Sequence, residues 1–436
     1  MVKGTFRNFF QRIFITMQFF GENSLANHAA AGAYGFLLSV APMLLLLSYF
    51  LLYTFRETGQ AAAALVENIP FFDIIINENW QSNDSSVVSL PGISSIISIV
   101  SIFWAGRLLA VSLQRGLKII FIGEKKRNTV TDNLLTFLIE LLVLIFSLFV
   151  IIMSQTVIQL LETFEFITEN SFLFYLTSQA GHIMLSGIVL GLVSYCAYRF
   201  IPANTPGRIP ALRGSLFSVF AWICISTALG MLLRQAKYNF LYGTLGSLII
   251  LLINVYFYFL LFFFGAQYAY VLNHFDALLF MRMRQARLDS AKKNVSLSAF
   301  INRIINRLFI SLKGRLTKYH RLHKAGETIF FQGDRGDEIF YLLEGEVEVY
   351  ISTSQNGSTL AATLREATFF GEMSYLLCEA RTATIKAKTD VSVLALPPYL
   401  FDEILKHDKS IDRNIIEHLS RRIKDGNDII ASLSAG

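Results

Sequence analysis

The chain has 436 residues, 53% of them hydrophobic and 16% charged, with 38 Lys+Arg against 32 Asp+Glu. That length exceeds one simple domain, and a net charge of +6 without long basic runs interleaved with aromatics excludes nucleic acid as the expected partner. The three cysteines, Cys196, Cys224 and Cys378, show no CxxC spacing, which excludes a disulfide framework and a zinc site.

The charges are unevenly spread. Residues 1–275 hold 15 Lys/Arg and 12 Asp/Glu, whereas the shorter 276–436 holds 23 and 20, the density of a water-soluble domain. In chain order, the first twenty residues are basic and aromatic and read as an amphipathic helix at a membrane surface rather than a cleavable signal. Six apolar stretches then reach the length of a membrane span: 29–55, 85–112, 133–160, 171–198, 211–233 and 238–273. The last exceeds one span and is expected to open with a turn or re-entrant piece at Tyr242-Gly243.

Loop charge orients these spans. Lys3, Arg7 and Arg12 precede the first, Arg115, Lys118, Lys125, Lys126 and Arg127 follow the second, and Arg199, Arg208 and Arg213 follow the fourth. The loops after the first and third spans are acidic, with Glu57, Glu67, Asp73, Glu78 and Asp84 in the first and three Glu in 162–169, and only the short turn with Arg234 and Lys237 breaks the rule. Basic loops favour the cytoplasm, so N- and C-termini are both expected there. Ionisable residues within spans are candidate pathway groups. Here they are Glu140 inside the third span and Arg107 near the end of the second.

Residues 276–318 carry ten Lys/Arg against two Asp and read as a basic amphipathic linker that attracts anionic lipid, or as a connecting helix. From 319 onward the pattern turns to short apolar alternations, TIFFQ, EIFYLL, EVEVYIST, STLAATL, ATIKAK and VSVLAL, with Asn356-Gly357 as a hairpin signal. This predicts an antiparallel β-roll, followed by helices over 398–406 and 409–425; Ile411, Ile415, Leu419 and Ile423 share one face of the second.

The most specific chemistry lies in Phe370-Gly371-Glu372-Met373-Ser374 and, nearby, Arg381-Thr382-Ala383. Gly371 permits a tight turn and a close approach. A single helical turn after it presents free N–H groups to an anion. Glu372 can accept from a sugar hydroxyl, Arg381 can fork onto a phosphate, and Thr382 adds a hydroxyl. FGE, eight residues, then Arg-Thr-Ala resembles the phosphate-binding cassette of the cyclic-nucleotide-binding family, over about 319–425. The resemblance assigns the ribose hydroxyl to Glu372 and the cyclic phosphate to Arg381. It leaves cAMP and cGMP both open. Two departures stand out: Ala367 and Ala380 occupy places where that family usually has Gly and Pro.

The first part also has a resemblance. AAGAYGFLLSVAPMLLLL, YRFIPANTPGRIPALRGSLFSVFAW and YGTLGSLIILLINVYFYFLLFFFGAQYAYVLN look like the YihY/BrkB family of bacterial inner-membrane proteins, once labelled ribonuclease BN. No carboxylate cluster supports a nuclease. The expected fold is thus an all-α polytopic membrane domain (1–275, about six transmembrane helices), a basic linker (276–318) and a C-terminal β-roll, or jelly roll, that is a cyclic-nucleotide-binding domain with flanking helices (319–436). The expected site is Gly371, Glu372, Met373, Ser374, Arg381, Thr382 and Ala383, with no catalytic residues, no metal and no cofactor beyond cyclic nucleotide as regulatory ligand. Expected partners are cAMP or cGMP and anionic membrane lipid, with a homo-oligomer allowed and no nucleic acid. The expected role is a transporter-like inner-membrane protein regulated by nucleotide, not an enzyme. The alternatives are a membrane-anchored sensor or scaffold and a degenerate domain that binds nothing.

Overall fold

A computed structural model describes residues 2–38, 107, 110–123, 128, 131, 134, 179–235, 238–291, 306–310, 315–353, 357–408 and 411. The chain divides into two compact units, Thr16–Asn273 and a second made of Met1–Ile15 with His274–Gly436. Glu140 and most of the first three expected spans lie outside the described residues.

The described residues of the first unit are mainly helical. Helix α1 (Val2–Glu22) enters it, and a turn at Asn23-Ser24 leads to helical residues 25–38. After helical residues 110–120 come α2 (Gln179–Phe200), α3 (Arg208–Gln235) and α4 (Tyr238–Asn273). Pro210 sits in the first turn of α3, where its missing N–H breaks no intrahelical bond. Two segments, Arg208–Leu229 and Leu252–Asn273, are long and apolar enough to cross a membrane. At 36 residues α4 runs unbroken, so no turn or re-entrant piece interrupts it at Tyr242-Gly243. A glycine inside a helix costs only about 1 kcal/mol. The Leu- and Ile-rich residues that follow hold the helix through it.

Helices α3 and α4 meet with their backbones nearly touching. A Cβ on Gly265 would stand 1.8 Å from Ser218 Oγ and 2.7 Å from the Gly214 carbonyl oxygen. Ser218 donates across this crossing to the Leu261 carbonyl (2.9 Å), and the buried Tyr198 hydroxyl donates to the Phe262 carbonyl (2.6 Å). Small residues admit the close approach, and the bridging hydroxyls then satisfy polar groups in an otherwise apolar setting.

The second unit is built on two four-stranded antiparallel sheets. The strands are β1 (His320–His323), β2 (Thr328–Phe330), β3 (Ile339–Glu344), β4 (Val347–Thr353), β5 (Gly357–Leu364), β6 (Phe369–Phe370), β7 (Thr384–Ala387) and β8 (Val391–Leu396). One sheet runs β1-β8-β3-β6, the other β2-β7-β4-β5. Their inner faces enclose Phe340, Leu342, Val347, Val349, Phe370, Ile385 and Val393. Phe340 and Phe370 stack at 5.2 Å, 10° from parallel. The β4–β5 hairpin forms as expected, but Gly357 pairs with Thr353, so the connection is 354–356.

Residues assigned to a linker turn out to be part of this second unit. Helix α5 (Phe275–Ala291) buries Phe275, Leu278, Leu279, Phe280, Met283 and Ala286. Phe280 stands edge-on to Tyr341 of β3, with centroids 5.1 Å apart. Its arginines contact other parts of the unit. Arg284 pairs with Asp408 (3.0 Å), Arg287 donates to the Leu343 carbonyl (3.0 Å), and Arg282 lies between the rings of Phe14 and Phe309. Asp276 gathers Lys318 (2.8 Å) and Tyr319 (3.2 Å), which fixes the 3-10 turn Arg315–Tyr319 against α5. The first residues of α1 join here as well, with Gln11 donating to the Leu308 carbonyl (2.9 Å) and Phe14 against Phe309.

Gly265→Ala should lower the melting temperature of the detergent-solubilised chain, by about 1–3 kcal/mol of overpacking. Gly21→Ala, where an added Cβ meets nothing within 4 Å, should not. Equal melting of Gly265→Ala and the wild type, by intrinsic fluorescence, would show that α3 and α4 can separate freely.

Candidate functional site

The strand pair β3–β6 ends at Gly371, which has φ 76° and caps the short helix α6 (Glu372–Leu377). Only glycine fits there comfortably: the left-handed backbone disfavours a side chain, and a Cβ would lie 2.8 Å from Arg381 Nη1. Helix α6 closes in a Schellman arrangement. Glu379 N–H bonds the Ser374 carbonyl (3.1 Å), Cys378 N–H bonds that of Tyr375 (3.4 Å), and Cys378 holds the left-handed position at φ 56°.

Arg381 is 5% exposed and is the centre of the site. Its Nη1 donates to the Gly371 carbonyl (2.8 Å) and to Ser374 Oγ (2.8 Å), and its Nη2 to the Glu338 carbonyl (2.9 Å). The guanidinium also lies 4.3 Å from the centroid of Phe330. Ser374 in turn donates to the Gly336 or Gly371 carbonyl (3.0 and 3.1 Å). The backbone of Arg381 is pinned too, donating to the Asp334 carbonyl (2.9 Å) and accepting from Gly333 N–H (2.8 Å). Burial lowers the Arg381 pKa from its ordinary value, and the carboxylates of Glu338, Asp337, Asp334 and Glu372 pull it back up.

Beside this hub opens a small, solvent-open cleft. All seven residues expected from the sequence line it: Gly371, Glu372, Met373, Ser374, Arg381, Thr382 and Ala383. Glu372 and Met373 are half-buried, Ser374 and Ala383 buried, Thr382 exposed. The apolar wall comes from Phe330, Val349, Leu364 and Ile385, which the motif alone does not name. Phe330 could have been suspected from its place in TIFFQG; the Glu338 and Gly371 carbonyls, being backbone, carry no residue signal.

Tyr375 faces the other way from the cleft residues. Its hydroxyl donates to the Asp402 carboxylate on α7 (Pro398–His407), and its ring stands edge-on to Phe401 at 5.9 Å. Asp402 pushes the Tyr375 phenol up to about 12, so the donor stays protonated at neutral pH. Of the two expected membrane-pathway residues, Arg107 is an exposed helical residue and Glu140 lies outside the described residues. Nor do the described residues contain a group of three or more His, Cys, Asp or Glu able to hold a metal.

A β-roll in which a left-handed glycine, a one-and-a-half-turn helix and a buried arginine converge on one cleft defines a cyclic-nucleotide-binding domain, and the family model of that description matches residues 320–408. A second model, virulence factor BrkB, matches residues 16–288. That is well over half of the chain, which therefore belongs to the BrkB family and carries a cyclic-nucleotide-binding domain after it. Among curated proteins, the cAMP-dependent protein kinase regulatory subunit of Dictyostelium discoideum is 30% identical over 102 residues, 23% of this chain and 31% of that protein. The human cGMP-dependent protein kinase 2 is 31% identical over 139 residues, 31% of this chain and 18% of that protein. The chain thus spans less than a third of the length of either relative. The catabolite activator protein of Thermus thermophilus aligns with 26% of this chain and 54% of its own, at 28% identity and a TM-score of 0.25.

Ala367, at φ 65°, holds the turn before β6 in a left-handed conformation that costs a non-glycine residue about 1–2 kcal/mol. Ala367→Gly should relieve this, less the extra freedom glycine has when unfolded, for a net gain of about 0.5–1 kcal/mol. Scanning calorimetry of the full chain should show the second unit melting a few degrees higher; an unchanged or lowered transition would count against strain at this turn.

Proposed function

We propose that this is an integral membrane protein whose membrane part is regulated by cAMP or cGMP bound beside Arg381. The observation that carries the reading is the convergence of Glu372, the start of α6 and Arg381 on one cleft. Three donations occupy part of the guanidinium's five N–H groups and hold it in place. The remaining capacity, with the N–H groups of α6, suits a single cyclic phosphate, and Glu372 suits a ribose hydroxyl.

Membrane residence is supported by family and by two apolar helical segments of spanning length, Arg208–Leu229, 17% buried, and Leu252–Asn273, 61% buried. Phe220, Leu216 and Leu212 stand exposed along the first. In this reading the spans lie in a bacterial inner membrane, oriented by the loop charges with the nucleotide domain in the cytoplasm. The membrane part acts as a transporter-like unit and does no catalysis.

Regulation has a physical route. Helix α6 reaches α7 through Tyr375, Asp402 and Phe401. Helix α7 reaches α5 through Asp408, which pairs with Arg284, and reaches His274, just before α5, through Glu403. Helix α5 follows α4 in the chain after the single residue His274. A nucleotide that repositions α6 would thereby act on the end of the last apolar helix, to the extent that it binds one arrangement more tightly. A second reading, a domain that binds nothing, is favoured by one fact: Arg381 is already well supplied with protein acceptors and would serve as an internal brace.

Calorimetric titration of the detergent-solubilised full chain should show binding of cAMP or cGMP. Arg381→Ala should weaken it by about 2–4 kcal/mol, on the order of 30- to 700-fold in Kd. Absence of heat with both nucleotides in the wild type would leave the bracing reading standing. Where binding occurs, hydrogen exchange over 275–291 should change with nucleotide in the wild type and not in Arg381→Ala. Unchanged exchange with binding confirmed would make the domain a tethered sensor.

A further inference from the structure

Helix α1 has two working faces. At about 100° per residue, Phe6, Phe9, Phe10, Ile13 and Met17 fall within an arc of roughly 100°. Four of them stand well exposed: Phe6 66%, Phe9 44%, Phe10 47% and Met17 68%. The opposite face is committed to the second unit. Gln11 and Ile15 are each 2% exposed, Gln11 donates to the Leu308 carbonyl (2.9 Å), and Phe14 lies 5.5 Å from Phe309. Arg7 and Arg12 flank the exposed arc, and the Arg12 guanidinium lies 4.7 Å over Phe275, the first residue of α5.

An aromatic face of this size is unusual on a surface in contact with water. The sequence places it next to lipid. No Asp or Glu precedes Glu22, and α1 passes through one turn into helical residues 25–38, beyond which the apolar run continues to residue 55. The exposed arc is thus tethered within a few helical turns of a segment long enough to span a bilayer. An apolar arc of this width on a surface helix suits the headgroup–acyl boundary.

We infer that α1 is a bilayer-surface helix whose aromatic face, Phe6, Phe9, Phe10 and Met17, lies in the headgroup–acyl boundary while its opposite face grips the nucleotide-binding unit through Leu308, Phe309 and Phe275. The inference rests on the membrane reading above and adds a second attachment of the nucleotide unit to lipid, independent of the chain connection at His274. The sensor is then held at the membrane surface by a helix that contacts lipid directly, so lipid composition and nucleotide act on the same body.

The test uses the full chain with Cys196→Ala, Cys224→Ala and Cys378→Ser, carrying a bimane label at Phe6→Cys, Phe10→Cys or Phe220→Cys, in nanodiscs of phosphatidylcholine and phosphatidylglycerol. Phe220, exposed on α3 within an apolar segment, reports insertion: quenching there by deep doxyl lipid confirms the membrane reading, and its absence fails that reading alone. With insertion confirmed, labels at 6 and 10 should lose most of their emission to shallow doxyl lipid and little to aqueous iodide. Quenching by iodide alone would place the face in water and overturn the inference. Protection from both quenchers would mean that protein, a second copy or another partner, covers it, and would overturn it equally.

Discussion

A guanidinium that is 5% exposed must find its acceptors inside the protein, and much of the second unit is arranged by that requirement. Arg381 draws Gly371, Ser374 and the Glu338 carbonyl to itself, and its backbone holds the Gly333–Asp334 turn. Remove the charge and the left-handed turn at Gly371 loses its reason, the first turn of α6 loses its anchor, and the loop between β2 and β3 loses its clamp. The cleft exists because these segments are pulled to one point. Phe330, stacked near the guanidinium, joins the sheet core to the same point through Phe340 and Phe370.

The same helix that bounds the cleft also faces away from it, and this gives the unit a direction. Ser374 looks inward to Arg381 while its neighbour Tyr375 looks outward to Asp402 and Phe401. One turn of helix therefore touches both the ligand cleft and α7. Helix α7 is in turn fastened by Glu403 to His274, the residue before α5, and by Asp408 to α5 itself, so it cannot shift without disturbing at least one of these contacts. Discrete contacts of this kind favour alternative arrangements over gradual deformation.

Much of this was legible in the chain, and the illegible parts have physical reasons. Six strands announce themselves by alternation and form in the roll; Gly371, Glu372 and Arg381, picked out by spacing, line one cleft. Strand β1 was missed because His320–His323 is a polar, outlying strand with little apolar content, and β6 because two residues carry no period. For residues 276–318 the sequence leaves a lipid-attracting linker and a connecting helix both open, because arginines count as surface charge there; α5 packs as a connecting helix. Its Leu278, Leu279, Phe280 and Met283 form the buried stripe, and the arginines find Asp408, Glu344 and backbone carbonyls. The expected break at Tyr242-Gly243 gave way to an unbroken helix because glycine alone is a weak helix breaker.

The grip of Gln11 on Leu308 joins residues 297 apart in the chain. On a ribosome the first residues emerge long before Phe275 and Phe309 exist, and they must wait, aromatic side chains uncovered, while every intervening apolar stretch is made. A contact of such sequence separation forms late. The grip can close only once Leu308 and Phe309 have been made, so a product that stops before them would leave the start of α1 without the surface that receives it.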